Sequence, residues 1–218
     1  MKQERTLSIE GKEYTLLISD EPQALLEAKA SGRAVLGCLD TGNGEGASRD
    51  FQGIPYVVPS MEYVTEELLE LILRRYLGLP WLIDETERLY IREFVKEDAE
   101  NIPEEEYGKE EEIFRDPDKL EVYIKNQYGF YEYGTWAVLK KSPSLLIGMA
   151  GVSNPNLPET ALQALPTLPD DLCWLELGYH IFKTYRKNGY AKEAAIAILS
   201  YAHEVLSARL CAWIEKKT

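Results

Sequence analysis

Histidine and cysteine are scarce in this 218-residue chain: two of the first, His180 and His203, and three of the second, Cys38, Cys173 and Cys211. Two histidines in different predicted elements, without metal-ligand spacing, argue against a zinc site, and no metal is expected. An odd, widely spaced set of cysteines with no C-x-x-C excludes a disulfide scaffold, so all three are read as reduced core thiols. No run of about eighteen apolar residues occurs, which leaves no candidate membrane-spanning helix. The opening MKQERTLSIEGKEYTLL mixes charges of both signs where a signal peptide needs an apolar stretch, and a cytoplasmic location is expected. Positive charge is also short: 24 Lys and Arg face 37 Asp and Glu, a net charge of −13. That field repels nucleic-acid backbones and anionic membranes and suits cationic substrates.

What is present is ordinary globular material, 45% hydrophobic and 28% charged, long enough for one large domain or two small ones. Residues 14–20 form an apolar run closed by Asp20 and Pro22, and a helix should follow to Gly32. RAVLGCLD and GIPYVVPS read as further strands, and Glu66 to Tyr76 as an amphipathic helix ended by Gly78 and Pro80. Alternating strands and helices predict a small, Rossmann-like, three-layer α/β module with a parallel sheet over residues 1–84. Its Gly42, Gly44 and Gly46 do not make a dinucleotide fingerprint, because G-x-G-x-G is followed by another strand rather than a helix. Ser19 to Gly32 resembles the late segment of haloacid-dehalogenase-type phosphatases. Residues 1–84 hold no D-x-D nucleophile motif, so the module is read as noncatalytic.

A second domain is expected over residues 85–218. Leu89, Ile91 and Phe94 alternate with Arg88, Tyr90 and Arg92, giving one strand across ETERLYIREF. The acidic stretch from Lys96 to Asp118 reads as a solvated helical face. DPDKLEVYIKNQYGFY predicts a capped helix, and GTWAVLKK with SLLIGMAGVSN a hairpin. A Pro-rich connection over 154–171 leads to the strand LCWLELGYHIF, then a helix over YAKEAAIAILSYAHEVL and a final strand ARLCAWIE. The helix's apolar side is read as Ala194, Ala195, Ile198, Leu199, Ala202, Val205 and Leu206.

The segment from Trp174 to Leu206 is the most informative. A strand runs into a basic, Gly-containing turn that opens a long amphipathic helix, and the turn reads R-x-x-G-x-A at Arg186, Gly189 and Ala191. Spacing of this kind suits an anion: a helix N-terminus leaves N–H groups unpaired and carries partial positive charge, and glycine permits close backbone approach. The segment resembles the acetyl-CoA motif of the GNAT superfamily of N-acetyltransferases, and is most similar to the ribosomal-protein-acetyltransferase-like branch.

The resemblance implies an α+β transferase domain with a GNAT-like mixed central sheet and flanking helices, using acetyl-CoA as cosubstrate and a primary amine as acceptor. It places the coenzyme A pyrophosphate on Arg186, Lys187, Asn188, Gly189, Tyr190, Ala191 and Lys192. It also implies that the strand before them splays from its neighbour, with Gly178 a plausible bulge where the splay begins, and that an N–H near His180 or Ile181 holds the thioester oxygen. Glu176 is the candidate general base and His180 the alternative. The family's usual general acid is a Tyr on a later helix. Here the chain stops at Thr218, so the domain is expected to be C-terminally incomplete and Tyr185 and Tyr190 too distant to substitute. A noncatalytic coenzyme A-binding or interaction protein is therefore the alternative reading, and a homodimer a possible assembly.

Overall fold

A computed structural model describes residues 1–40, 50–106, 109–170 and 172–211. The Gly42–Gly46 loop and the end of the last predicted strand, 212–215, lie outside the described residues. Two compact units divide the chain, Met1–Trp81 and Leu82–Thr218.

The first unit is a four-stranded sheet in the order β1 (Lys2–Ile9), β2 (Lys12–Ser19), β3 (Ala34–Asp40), β4 (Val57–Ser60). β2, β3 and β4 run parallel, as alternating strands and helices predict. β1 pairs antiparallel with β2, an element the sequence reading did not assign. Its Lys, Glu and Arg conceal it: an edge strand carries charge on its solvent side, and only Ile9 at its end is buried. Glu10 and Gly11, at φ 50 and 79, form the tight hairpin turn. Period-two alternation then sorts the core. Leu16, Ile18, Leu36 and Cys38 pack with Leu69, Ile72 and Leu73 of α2 (Glu66–Tyr76). Leu17 and Val35, on the opposite face, pack with Leu25 and Ala28 of α1 (Pro22–Ala30). Helices on both faces make three layers. Thr65 starts α2, its hydroxyl accepting the Leu68 N–H at 3.1 Å.

The second unit is a six-stranded mixed sheet in the order β10-β9-β8-β7-β6-β5. The strands are β5 (Leu82–Glu85), β6 (Leu89–Arg92), β7 (Thr135–Lys140), β8 (Leu145–Ser153), β9 (Cys173–Ile181) and β10 (Ala208–Cys211). All neighbours are antiparallel except β9 and β10. The stretch read as one strand over ETERLYIREF is instead the turn at 86–88 followed by β6. β5 precedes that turn, so this sheet begins at Leu82.

The acidic stretch is not one helical face. It folds as three short 3-10 turns, Lys96–Asn101, Glu104–Glu106 and Lys109–Phe114. Pro103 cannot donate to a continuing helix, and Ile102 before it is extended at φ −92, ψ 119. Asp98 is buried, receiving Arg92 in a two-pronged contact at 2.7 and 2.9 Å and the Val95 N–H at 2.8 Å. The helix that follows, α3 (Pro117–Tyr123), is capped by Asp116, widens to a π-turn over Ile124–Tyr128, and closes in the short α4 (Gly129–Tyr131). The wide turn is where Tyr128 enters the core, its hydroxyl accepting the Phe94 N–H and donating to the Thr135 carbonyl. Phe94, Leu120, Ala137, Met149 and Phe182 form the core on this side of the sheet.

The connection between β8 and β9 carries one short helix, α5 (Glu159–Leu162). α6 (Tyr190–Glu204) covers the other face, burying Ala194, Ala197, Ile198 and Ala202, with Tyr201 edge-on to Trp136 at 5.5 Å. Leu199 and Val205, expected on the apolar side, are exposed, because the i, i+3, i+4 stripe that meets the sheet runs through Ala197 instead. Of the cysteines only Cys38 is a core thiol; Cys173 is exposed and Cys211 half-buried. No helix among the described residues is long and apolar enough to cross a membrane.

Candidate functional site

Among the described residues β9 pairs with β10 over Cys173 to Glu176, and with β8 in continuous register as far as Ile181. Gly178 marks no bulge against β8: it faces Gly151 in unbroken register. β8 holds this end of β9 closely. A Cβ on Gly148 would lie 2.3 Å from the His180 carbonyl oxygen, so glycine is required there.

The exposed end of β9 and the start of α6 enclose a cavity of about 590 Å³. Ile181, Arg186, Lys187, Gly189, Tyr190, Ala191 and Lys192 all line it, and so does His180. Asn188 does not; its side chain ties the turn together, donating to the carbonyls of Tyr185 and Arg186 at 3.1 Å each. Glu176 is also outside the lining, its carboxylate accepting the Asn156 N–H at 2.8 Å. Of the two candidate bases, the fold brings only His180 to the cavity wall. Tyr185 and Tyr190 line it as well, and Tyr179, on the face expected to be apolar, is exposed there.

Local sequence explains the turn. Gly189 caps α6 at φ 83, ψ 0, a left-handed conformation natural to glycine, and Lys187 adds a second left-handed residue at φ 63. This reversal aims the helix start at the cavity. The N–H groups of Tyr190, Ala191 and Lys192 belong to the first turn, which a helix cannot satisfy internally. Among the described residues no carboxylate pairs with Lys187 or Lys192. Arg186 is committed elsewhere: its Nε donates to the Ile181 carbonyl at 2.7 Å and its guanidinium reaches Glu106 at 3.1 Å.

Three residues that shape this candidate site were not singled out from the sequence. Glu193, in the first turn of α6, accepts Thr86 Oγ1 at 2.6 Å, the Arg88 N–H at 2.9 Å and Arg88 Nε at 2.7 Å. Burial alone would raise its carboxyl pKa, but these bonds and the Arg88 charge outweigh that and lower it. Arg88 also donates to the Asn188 carbonyl at 3.0 Å and lies over the Tyr190 ring at 4.6 Å, so the β5–β6 turn clamps the loop before α6. Glu106, from the acidic stretch, accepts the Lys183 N–H at 2.6 Å and contacts His180 Nε2 at 3.1 Å. Burial pushes its pKa up, yet the Lys183 N–H, His180 and Arg186 together bring it below the ordinary value. Nothing in EEEY distinguishes this glutamate from its neighbours; only the basic turn opposite it hinted at a partner.

Residues 88–217 match the Acetyltransferase (GNAT) domain family, more than half of the chain. No functionally curated protein matches this sequence. Solved structures are similar at low identity. A GNAT-family acetyltransferase from Bacillus anthracis shares 20% identity over 59% of this chain and 70% of its own, with a TM-score of 0.40. An acetyltransferase from Agrobacterium tumefaciens str. C58 shares 21% over 56% and 67%, at 0.36. A ribosomal-protein-S5-alanine acetyltransferase from Vibrio fischeri shares 16% over 62% and 73%, at 0.43. The domain match extends over β9, the R-x-x-G-x-A turn and α6, and on that basis the chain belongs to the GNAT acetyltransferase family.

Proposed function

We propose that this protein transfers an acetyl group from acetyl-CoA to a primary amine, on a small molecule or a protein N-terminus. The observation that carries the proposal is the turn from Arg186 to Ala191, which brings the first-turn N–H groups of α6 to the cavity lined by the end of β9. These residues fit a pyrophosphate. The left-handed Gly189 keeps the loop slim, the first turn of α6 offers donors, and Lys187 and Lys192 add positive charge to an acidic protein. The Arg186 side chain, on the cavity wall, fixes the loop through the Ile181 carbonyl and Glu106.

When bound, acetyl-CoA supplies the acetyl group as a thioester. The chain's share is orientation, a donor for the carbonyl oxygen, and removal of the amine proton as the N–C bond forms and the C–S bond breaks. Strand alternation bears on the donor. Phe182 N–H is bonded to the Ile147 carbonyl at 2.9 Å, toward β8, so the Ile181 N–H points away from β8 and the His180 N–H toward it. Ile181 is therefore the oxyanion donor in this reading. His180, on the cavity wall, takes the amine proton in preference to Glu176, whose carboxylate is engaged by Asn156.

Incubation with acetyl-CoA and a panel of amines, with titration of released thiol, tests the assignment. Amine-dependent thiol supports it, and its absence across the panel overturns it. The same assay on His180→Gln and Glu176→Gln separates the two bases.

A further inference from the structure

We infer that Glu106 is a positioning residue for His180, fixing the imidazole proton on Nε2. The inference rests on the reading of His180 as the proton acceptor, and adds the residue that orients it.

Three facts converge on this carboxylate. Its side chain is only 6% exposed although it comes from the middle of an acidic run. Its two oxygens are divided: Oε1 takes the Lys183 N–H at 2.6 Å, and Oε2 faces both His180 Nε2 and Arg186 at 3.1 Å. All three partners come from the strand end and loop that form the cavity wall, some 74 to 80 residues further along the chain.

An ionised carboxylate only accepts hydrogen bonds. The backbone N–H and the arginine keep Glu106 ionised, so its contact with Nε2 requires a proton on that nitrogen. Arg186 approaches the same nitrogen at 3.4 Å, and as a pure donor it cannot share Nε2 once the proton is there. The stronger, shorter contact decides the tautomer, and the imidazole lone pair then lies on Nδ1. Nε2–H then stays on Glu106 while His180 acts. Glu106 touches no reacting atom in this arrangement; it acts through the histidine, as carboxylates do behind other functional imidazoles.

Two histidines in the whole chain make the test direct. In histidine-selective 15N spectra of the full-length protein in mildly alkaline buffer, with His180→Gln to assign the signals, wild-type His180 should carry its proton on Nε2. Glu106→Gln keeps the shape and removes the charge. Its amide oxygen stays with the Lys183 N–H, its NH2 points at Nε2, and the proton should move to Nδ1. In the thiol assay Glu106→Gln should lower kcat roughly 10- to 100-fold, the range for loss of an orienting partner, with KM for acetyl-CoA nearly unchanged. In the His180→Gln background the same change should have no further effect. A wild-type His180 protonated on Nδ1, or a tautomer identical in Glu106→Gln, overturns the inference, and the wild-type spectrum decides even if the variant does not fold. If His180→Gln leaves kcat intact while the tautomer follows Glu106, the base assignment fails and the positioning stands.

Discussion

The Arg88 guanidinium meets the Glu193 carboxylate through Nε at 2.7 Å and Nη2 at 2.6 Å, joining the turn before β6 to the first turn of α6 across 105 residues of chain. Glu193 on the first turn also complements the helix dipole. The loop that aims N–H groups into the cavity is thus braced from outside by a charge pair that enters the cavity at neither end.

Removing the brace should loosen the anion site before it unfolds the protein. Glu193→Ala gives up bonds from Thr86 and from both the backbone and guanidinium of Arg88. A stability loss of about 2 kcal/mol is expected, since hydrogen bonds to charged groups contribute roughly 1.5–3 kcal/mol each but these groups are partly solvated. Coenzyme A binding, measured by calorimetry, should weaken about tenfold. Undiminished affinity in a variant that has lost stability would show that the clamp supports the helix alone.

Gly189→Ala separates backbone shape from side-chain chemistry. Its φ of 83 is strained for any residue with a Cβ, at a cost of roughly 1–2 kcal/mol, and the nearest atom to that Cβ is Arg88 Nη2 at 3.4 Å. The fold should survive with a lowered Tm, while coenzyme A affinity falls more than about tenfold as the loop relaxes and its N–H groups turn away. Equal affinity in wild type and variant would place the pyrophosphate elsewhere.

Stability should fall with acid through two carboxylates of this site. Glu106 and Glu193 both titrate below their ordinary value of 4.5. A depressed carboxyl pKa contributes stability that is complete above the unfolded value and lost as pH falls through the folded one. Thermal melts of wild type and the Glu106→Gln, Glu193→Gln double variant should differ above about pH 5 and converge as the pH drops below 4.5. A gap that is constant, or widens in acid, contradicts the assignment of charge to these groups.

The parts of the fold that were legible in the sequence are those governed by local chemistry. Gly78 closes α2, and Gly189 with Arg186 and Ala191 marks the start of α6, because left-handed turns are decided within a few residues. β1 was hidden, since an edge strand needs no apolar alternation and its Lys, Glu and Arg are the charges that keep an edge soluble. Glu106 and Arg88 were hidden for a different reason. Which glutamate of a run becomes buried, and which arginine turns inward, depends on partners 80 and 105 residues away. The acidic stretch looked like a solvated face because its charge dominates the pattern, while the breaks that Pro103 and the Asp98–Arg92 pair impose are single-residue effects within it.

The central claim is tested most directly by thiol release from acetyl-CoA in the presence of a primary-amine panel. The account predicts thiol that appears only with an acceptable amine, one for each acetylated amine found by mass spectrometry, and that falls sharply in Gly189→Ala. Thiol release independent of amine, or none with any member of the panel, would contradict it.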